Sequence, residues 1–387
     1  MNSYSFDSKH PYCIIGGGAS GLAAAALLAR AGKPALVLER NARVGKKLAA
    51  TGNGRCNLGH TPLELSRYHG DVELAKKVFA NWQGAEAFFA ELGMVCRADG
   101  DGRLYPHSNS ANTVLDALRQ ACADATIACD TAVNSVEPVD GGFVINGQIF
   151  AHTVIWAGGG DFSLLRQLGH SVIEPFPSLC PVITDKALTR SLKGLRVRAM
   201  CRAVAAEGSV LKQELGEVQF NEGSLSGICI MNLSRLVRDY GDNMHISLDL
   251  APDFTEQKLT QLLSTSPLGA AGLFHSRVAQ TLNSHSRAFG VPLPRLIKDW
   301  RFPVTGVALL SQAQVTAGGV PARELNADLS SRIHPNLYII GEAVNVDGDC
   351  GGYNLEWCWA SAAIAGFRIQ DSGFRIQGVG MPPIAIL

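Results

Sequence analysis

Three glycines mark where this chain could do chemistry. Gly16, Gly18 and Gly21 stand at G-x-G-x-x-G spacing after the apolar run Tyr12-Cys13-Ile14-Ile15, and Glu39 follows. The first glycine permits a tight turn, the second leaves backbone bare where a pyrophosphate lies, and the third lets a helix press on the preceding strand. The helix start then offers N–H groups to phosphate. Glu39, about 20 residues on, accepts hydrogen bonds from an adenosine ribose and repels the 2′-phosphate of NADP, so the expected dinucleotide is FAD or NAD. A second stretch, Arg43-Val44-Gly45-Lys46-Lys47-Leu48 and then Thr51-Gly52-Asn53-Gly54-Arg55-Cys56-Asn57, is basic and glycine-rich. It suits a loop lying along a pyrophosphate and a planar ring. Cys56 sits inside it. Arg55 and the basic loop would lower its thiol pKa and make it a candidate catalytic proton donor; the alternative is a small thiol filling space beside the ring.

The elements that must position these residues follow from periodicity. Residues 12–15 and 34–38 read as strands flanking a helix at 19–31 that Gly32 stops, the opening of a doubly wound parallel sheet of Rossmann type. Helical spacing covers 72–92 and 112–123, and alternation marks strands at 131–139 and 142–150. Residues 153–157 are apolar throughout, as in a strand buried on both faces, and run into Gly158-Gly159-Gly160. From about 175 the texture shifts to short alternating strands and then to amphipathic helices between 255 and 300. A buried strand at 337–340 ends in Gly341-Glu342, and a helix follows from 354 to 367. The expected organisation is α/β: a discontinuous nucleotide-binding domain at 1–174 and 305–370, an inserted β plus helical domain at 175–304, and a tail at 371–387. The tail carries part of a duplicated Phe-Arg-Ile-Gln, at 367–370 and 374–377, too short for a repeat architecture.

Composition excludes several classes. Of 387 residues, 47% are apolar and 18% charged, which places the chain with globular proteins rather than disordered ones. Lys+Arg and Asp+Glu both number 34, so the molecule as a whole is not a basic coat for nucleic acid or membrane. The longest apolar run, 22–29, is far short of the roughly 20 residues that span a bilayer. The polar first fifteen residues show no secretory signal, so the cytoplasm is the expected location. Ten cysteines without C-x-x-C spacing argue against a disulfide framework, a zinc site and a thiol-relay reductase. His107, His275 and His285 stand alone, and no metal is expected. With no second G-x-G-x-x-G, a nicotinamide either docks without that turn or is not the direct reductant.

The two basic segments, together with Val315-Thr316-Ala317-Gly318-Gly319-Val320 and the run Gly341-Glu342-Ala343-Val344-Asn345-Val346-Asp347-Gly348-Asp349-Cys350-Gly351-Gly352-Tyr353-Asn354, resemble the BaiN-like flavoproteins, also labelled aminoacetone-oxidase-type. Gly102-Arg103-Leu104-Tyr105-Pro106 and Leu225-Ser226-Gly227 extend the resemblance over nearly the whole chain. Many relatives carry a Thr-His pair before Leu-Ser-Gly; this chain has Asn221 and Glu222. The resemblance implies FAD as the held dinucleotide, an inserted domain covering the flavin, and NADH or NADPH as a transient reductant. It implies that the turns 55–57 and 351–354 approach the isoalloxazine and that Glu342 meets the ribityl chain. The cofactor-binding set is then Gly16, Gly18, Ala19, Ser20, Gly21, Glu39, Arg40, Gly45, Lys47, Thr51, Gly54, Arg55, Asn57, Val133, Ala157, Gly158, Gly341, Glu342, Asp347, Gly352, Tyr353 and Asn354.

The implied activity is hydride transfer through flavin N5 to a C=C bond conjugated to a carbonyl. The substrate is a small molecule such as a steroid-like enone, or uracil in ribosomal RNA. Other outlets for the same flavin are an oxidase or a binding protein without turnover. Residues 180–304 hold 15 Lys+Arg against 11 Asp+Glu, or about +4, and Lys186, Arg190, Lys193, Arg196, Arg198 and Arg202 succeed one another with no acid until Glu207. Such a run either contacts RNA phosphates or forms a solvated face.

Overall fold

The computed structural model describes residues 8–371 and divides into two compact units, one running to Pro175 and resuming at Gly318, the other Phe176–Ala317. In the first unit, strand Ser8–Ile15 lies between Leu36–Leu38 and Ile149–Trp156, parallel to both, and Thr126–Ala128 extends the sheet beyond Leu36–Leu38. The far edge of Ile149–Trp156 is shared. Residues 149–151 pair antiparallel with Gly142–Ile145, and residues 154–156 pair parallel with Leu337–Ile339. The sheet therefore has the expected parallel core plus an antiparallel extension, Val136–Val139 with Gly142–Ile145.

Strand residues Ile14, Val37, Val154, Ile155, Leu337 and Ile339 are buried, in keeping with the unbroken apolar pattern of a parallel core. Helix Ala19–Arg30 packs against helices Ala111–Ala121 and Tyr353–Asp371. Its alanine-rich surface permits this, since almost the whole helix is buried. Gly32, at φ +69°, follows its last turn.

The structure corrects several expected boundaries. The 72–92 helix is two, Val72–Phe79 and Ala85–Glu91, broken where Gly84 takes φ +96°. The strands expected at 131–139 and 142–150 are instead Val136–Val139, Gly142–Ile145 and the long Ile149–Trp156, because Asn146 and Gly147 both adopt left-handed backbone and turn the chain. Thr126–Ala128, too short for a periodicity signal, is an additional strand. The second copy of Phe-Arg-Ile-Gln, with most of the 371–387 tail, lies outside the described residues.

The second unit is built on one seven-stranded sheet, in the order Trp300–Pro303, Met244–Asp249, Arg196–Ala205, Val210–Asn221, Ser224–Ser226, Val182–Ile183, Gly306–Val307. Every pairing in it is antiparallel. Helices Glu256–Thr265, Ser276–Phe289 and Leu293–Lys298 belong to the same unit, whose core holds Phe220, Trp300 and Phe302. Gly306–Val307 pairs with Val182–Ile183, so the return to the first unit falls at Gly318 and not at 305. Two-residue strands carry no periodicity from which this could be read.

Ile155 is fully buried at the centre of the parallel core. Ile155→Ala is expected to cost about 2–5 kcal/mol, seen as a lower urea midpoint for loss of the first unit's structure. An unchanged midpoint would contradict the placement of this strand.

Candidate functional site

The first glycine turn is shaped by contacts that a side chain would destroy. At Gly16, φ +105°, a Cβ would lie 3.0 Å from the Ala157 carbonyl and the Gly158 nitrogen. A Cβ on Gly21 would overlap the Gly16 carbonyl oxygen, so helix and strand can approach this closely only without it. Gly18 is different. A Cβ there would meet no atom within 4 Å, so the second glycine borders open space at the start of helix Ala19–Arg30, which has no side-chain cap. Bare backbone, uncapped helical N–H groups and room beside them together fit a pyrophosphate.

Glu39 is 7% exposed at the end of strand Leu36–Leu38. Its carboxylate accepts the Gly17 N–H at 2.8 Å, the Asn41 N–H at 2.8 Å and the Asn41 side-chain amide at 2.5 Å. It is thereby tied to the glycine turn itself. The stretch leading to the half-buried Val133 runs alongside, with the Ala128 carbonyl accepting Glu39 N–H and the Glu39 carbonyl accepting Thr131 N–H. Arg40 projects to solvent between them.

Gly45, φ +70°, donates its N–H to the Gly17 carbonyl at 2.8 Å and starts helix Lys46–Ala50. Lys47 on that helix reaches Glu342, with Nζ 2.9 Å from both carboxylate oxygens. Glu342 follows the strand Leu337–Ile339 and also closes on Gly159, where a Cβ would lie 2.9 Å from Oε2. Gly341 packs on the buried Ser20 so tightly that a Cβ would collide with its hydroxyl. The turn at 16–21, the loop at 45–47, the crossing at 157–159 and the end of the returning strand are thus one contiguous surface within the first unit.

The turns at 51–57 and 351–354 also meet. Thr51 Oγ1 donates to the Leu48 carbonyl at 2.7 Å, and the Thr51 carbonyl accepts Cys56 N–H at 3.0 Å. Gly52, Asn53, Gly54 and Cys56 all take positive φ. The Asn57 amide, oriented to satisfy its neighbours, donates to the Gly59 carbonyl at 2.9 Å and the Leu104 carbonyl at 3.2 Å and accepts Gly352 N–H at 3.1 Å. A Cβ on Gly352 would overlap the Gly59 carbonyl. The Arg103–Pro106 strand backs this junction: Arg55 is exposed, and its guanidinium lies 5.0 Å from the centre of the Tyr105 ring. The Gly-Arg-Leu-Tyr-Pro segment therefore acts as a support for the turn.

Several side chains of the expected set face inward. Tyr353 is buried, stacked on His60 at 4.8 Å between ring centres, and its carbonyl accepts the Tyr68 hydroxyl. Burial pushes its phenol up to about 12. Asn354 clasps Gly348, accepting its N–H at 2.9 Å and donating to its carbonyl at 2.7 Å. Asp347 is buried in strand Val346–Gly348, which pairs with Tyr68–Gly70. These side chains hold the 344–354 loop in shape, while the start of helix Tyr353–Asp371 presents its positive end at that loop.

Cys56 corrects an expectation. Its thiol is fully buried, and desolvation pushes its pKa up to about 12, where the basic loop was expected to lower it. Arg55 points away over Tyr105 and gives no compensating charge. Among the described residues no group of three or more His, Cys, Asp or Glu side chains is arranged to hold a metal, and no helix is long and apolar enough to cross a membrane.

Glu356 was not anticipated. It is 2% exposed on helix Tyr353–Asp371 and accepts Trp82 Nε1–H at 2.5 Å and Ala85 N–H at 2.8 Å. A Cβ on Gly59 would run into its carboxylate. It fastens three segments behind the junction of the two turns. A lone acid in the apolar stretch Leu355-Glu356-Trp357-Cys358-Trp359 was the available signal. His69 and Arg67, which approach Asp349 at 2.9 and 3.5 Å, left no such mark.

Over residues 10–368 the chain matches the HI0933-like protein Rossmann domain. It is 33% identical to the 3-dehydro-bile acid delta(4,6)-reductase of Clostridium scindens, over 91% of this chain and 97% of that protein. It is 26% identical to the ribosomal RNA dihydrouridine synthase of Escherichia coli, over 90% and 95% of the two chains. The enzyme of the same description from Haemophilus influenzae is 25% identical, over 92% and 98%.

Burial raises the Glu356 pKa above the ordinary glutamate value despite the hydrogen bonds it accepts. A raised folded pKa contributes stability in full below the unfolded value, about 4.3, and that contribution is lost as pH rises through the folded value. The urea midpoint of the first unit is therefore expected to carry a falling component above about pH 4.3 that Glu356→Gln removes. An identical pH slope in the variant would contradict this.

Proposed function

The chain belongs to the HI0933-like Rossmann family of BaiN-type flavoproteins, and on that footing we propose that it is an FAD-dependent reductase of a carbonyl-conjugated C=C bond in a small molecule. The observation that carries this reading is the 33% identity, sustained over 91% of the chain, with an enzyme described as a reductase of a bile acid. When bound, FAD supplies hydride transfer at its ring. The protein's own residues bind and orient. The 16–21 turn and the start of helix Ala19–Arg30 take the pyrophosphate, and Glu39 accepts the ribose hydroxyls. Lys47 holds Glu342 at the edge of the returning strand, where the carboxylate can accept from a polyol chain. The 55–57 and 351–354 turns would hold the ring, and the positive helix end at Tyr353 would favour negative charge on it. Cys56 packs beneath the turn. NADH or NADPH is the proposed reductant.

Uracil in ribosomal RNA is the second reading, favoured by the two dihydrouridine synthases among the relatives. The basic run at 186–202 supports it weakly. Folding brings acids against this run: Lys186 and Lys193 meet Glu222 at 2.6 and 3.2 Å, Arg196 meets Glu217 at 2.9 Å, and Arg202 meets Asp249 at 3.7 Å. Four of the six cations thus already have partners, which leaves less uncompensated charge for phosphates.

The test is anaerobic incubation of the yellow holoprotein with NADH or NADPH and a 3-oxo-Δ4 steroid or bile acid, followed by mass analysis. A product heavier by two hydrogens is expected. Bleached flavin with an untouched enone contradicts the small-molecule reading, and dihydrouridine appearing in ribosomal RNA under the same conditions would install the second one.

A further inference from the structure

Two cysteines of the second unit are brought into contact by the packing of a short helix on a sheet. Cys201 lies on strand Arg196–Ala205 and Cys229 on helix Ile228–Ser234, and their sulfurs are 3.5 Å apart. Both are buried. The alternation of the strand puts Ala199, Cys201 and Ala203 on its buried face, and the ladder sets Ala199 opposite Gly216 on Val210–Asn221. Gly216 leaves a notch. A Cβ there would lie 3.0 Å from Cys229 Cβ and 3.2 Å from its sulfur, so the Cys229 thiol occupies the space that a side chain would take. Gly227, φ +103°, passes so close to the Glu217 carbonyl that it must also lack a Cβ, and this turn aims the helix into the notch.

We propose that Cys201 and Cys229 are a redox-active dithiol that closes to an intramolecular disulfide by exchange with low-molecular-weight disulfides such as oxidised glutathione. Cys229 is the attacking thiol. Cys229 Sγ accepts the Cys201 S–H and donates its own to the Glu217 carbonyl at 3.4 Å; the hydrogen bond from Cys201 lowers the Cys229 pKa from the ordinary thiol value, while that same bond and burial raise that of Cys201. Cys229 sulfur attacks one sulfur of the small disulfide and expels a thiolate. Cys201 sulfur then attacks the mixed disulfide at Cys229 and expels the second. Two protein S–H bonds are lost and one S–S bond forms; the small disulfide is reduced to two thiols, which carry off both protons. Access comes from the helix start, which has no side-chain cap and where Ile228 is 43% exposed. Opening of that first turn uncovers Cys229 without unfolding the sheet. The closed form ties the helix after the Leu225-Ser226-Gly227 turn to strand Arg196–Ala205. This proposal is independent of the cofactor and of the reaction catalysed.

The experiment treats the native full-length holoprotein with excess oxidised glutathione, then alkylates under denaturing conditions and maps peptides by mass. Of the ten cysteines, two are expected to be withheld from alkylation, joined in a Cys201–Cys229 peptide lighter by two hydrogens and reopened by dithiothreitol. Cys201→Ala should instead accumulate glutathione on Cys229, and Cys229→Ala should leave Cys201 unmodified. Ten alkylated cysteines after treatment would overturn the proposal. So would a disulfide that maps to another pair, such as Cys56 and Cys96, or a Cys201→Ala protein with no glutathione on Cys229.

Discussion

The structure rests on one close approach: helix Ala19–Arg30 against the strand that precedes it, with no atom to spare between Gly21 and the Gly16 carbonyl. That contact fixes where the helix begins and therefore where its free N–H groups point. The rest of the proposed nucleotide-binding surface is assembled around it. Glu39 bonds back to Gly17, Gly45 to the Gly17 carbonyl, and Gly341 packs on Ser20. The open side of Gly18 is the space this arrangement leaves.

A second layer of order comes from buried acids. Glu356 fastens segments distant in sequence behind the junction of the 51–57 and 351–354 turns. Asp349 draws on Arg67 and His69 beside the same loop. Burying a carboxylate is costly unless donors converge on it, so such residues specify geometry more than they add stability. The helix end at Tyr353 is aimed by this scaffold at the 344–354 loop.

Much of this was legible in the sequence where residue type and period act together. The glycine turn, the parallel strands and the terminal helix follow from residue type and spacing read together with the strand before the turn and the helix after it. Cys56 was not legible in the same way. Its neighbours along the chain are basic, but its side chain turns inward while Arg55 turns out over Tyr105, and a positive φ at Cys56 accompanies that divergence. The acids that meet the run of cations at 186–202 were not legible either, because Glu217, Glu222 and Asp249 lie further along the chain and reach it only through folding. Short strands such as Thr126–Ala128 and Gly306–Val307 fall below any periodic signal, and so the edge of the inserted unit was set too early.

The central claim is that the adenosine and pyrophosphate half of the cofactor is the anchor, held by the amino-terminal turn and Glu39. Calorimetric titration of the deflavinated protein with FAD and, separately, with FMN tests it directly. One FAD per chain is expected, with FMN, which lacks the adenylate, bound at least about 100-fold more weakly, a difference of roughly 2.7 kcal/mol. Equal affinity for the two flavins would contradict the account.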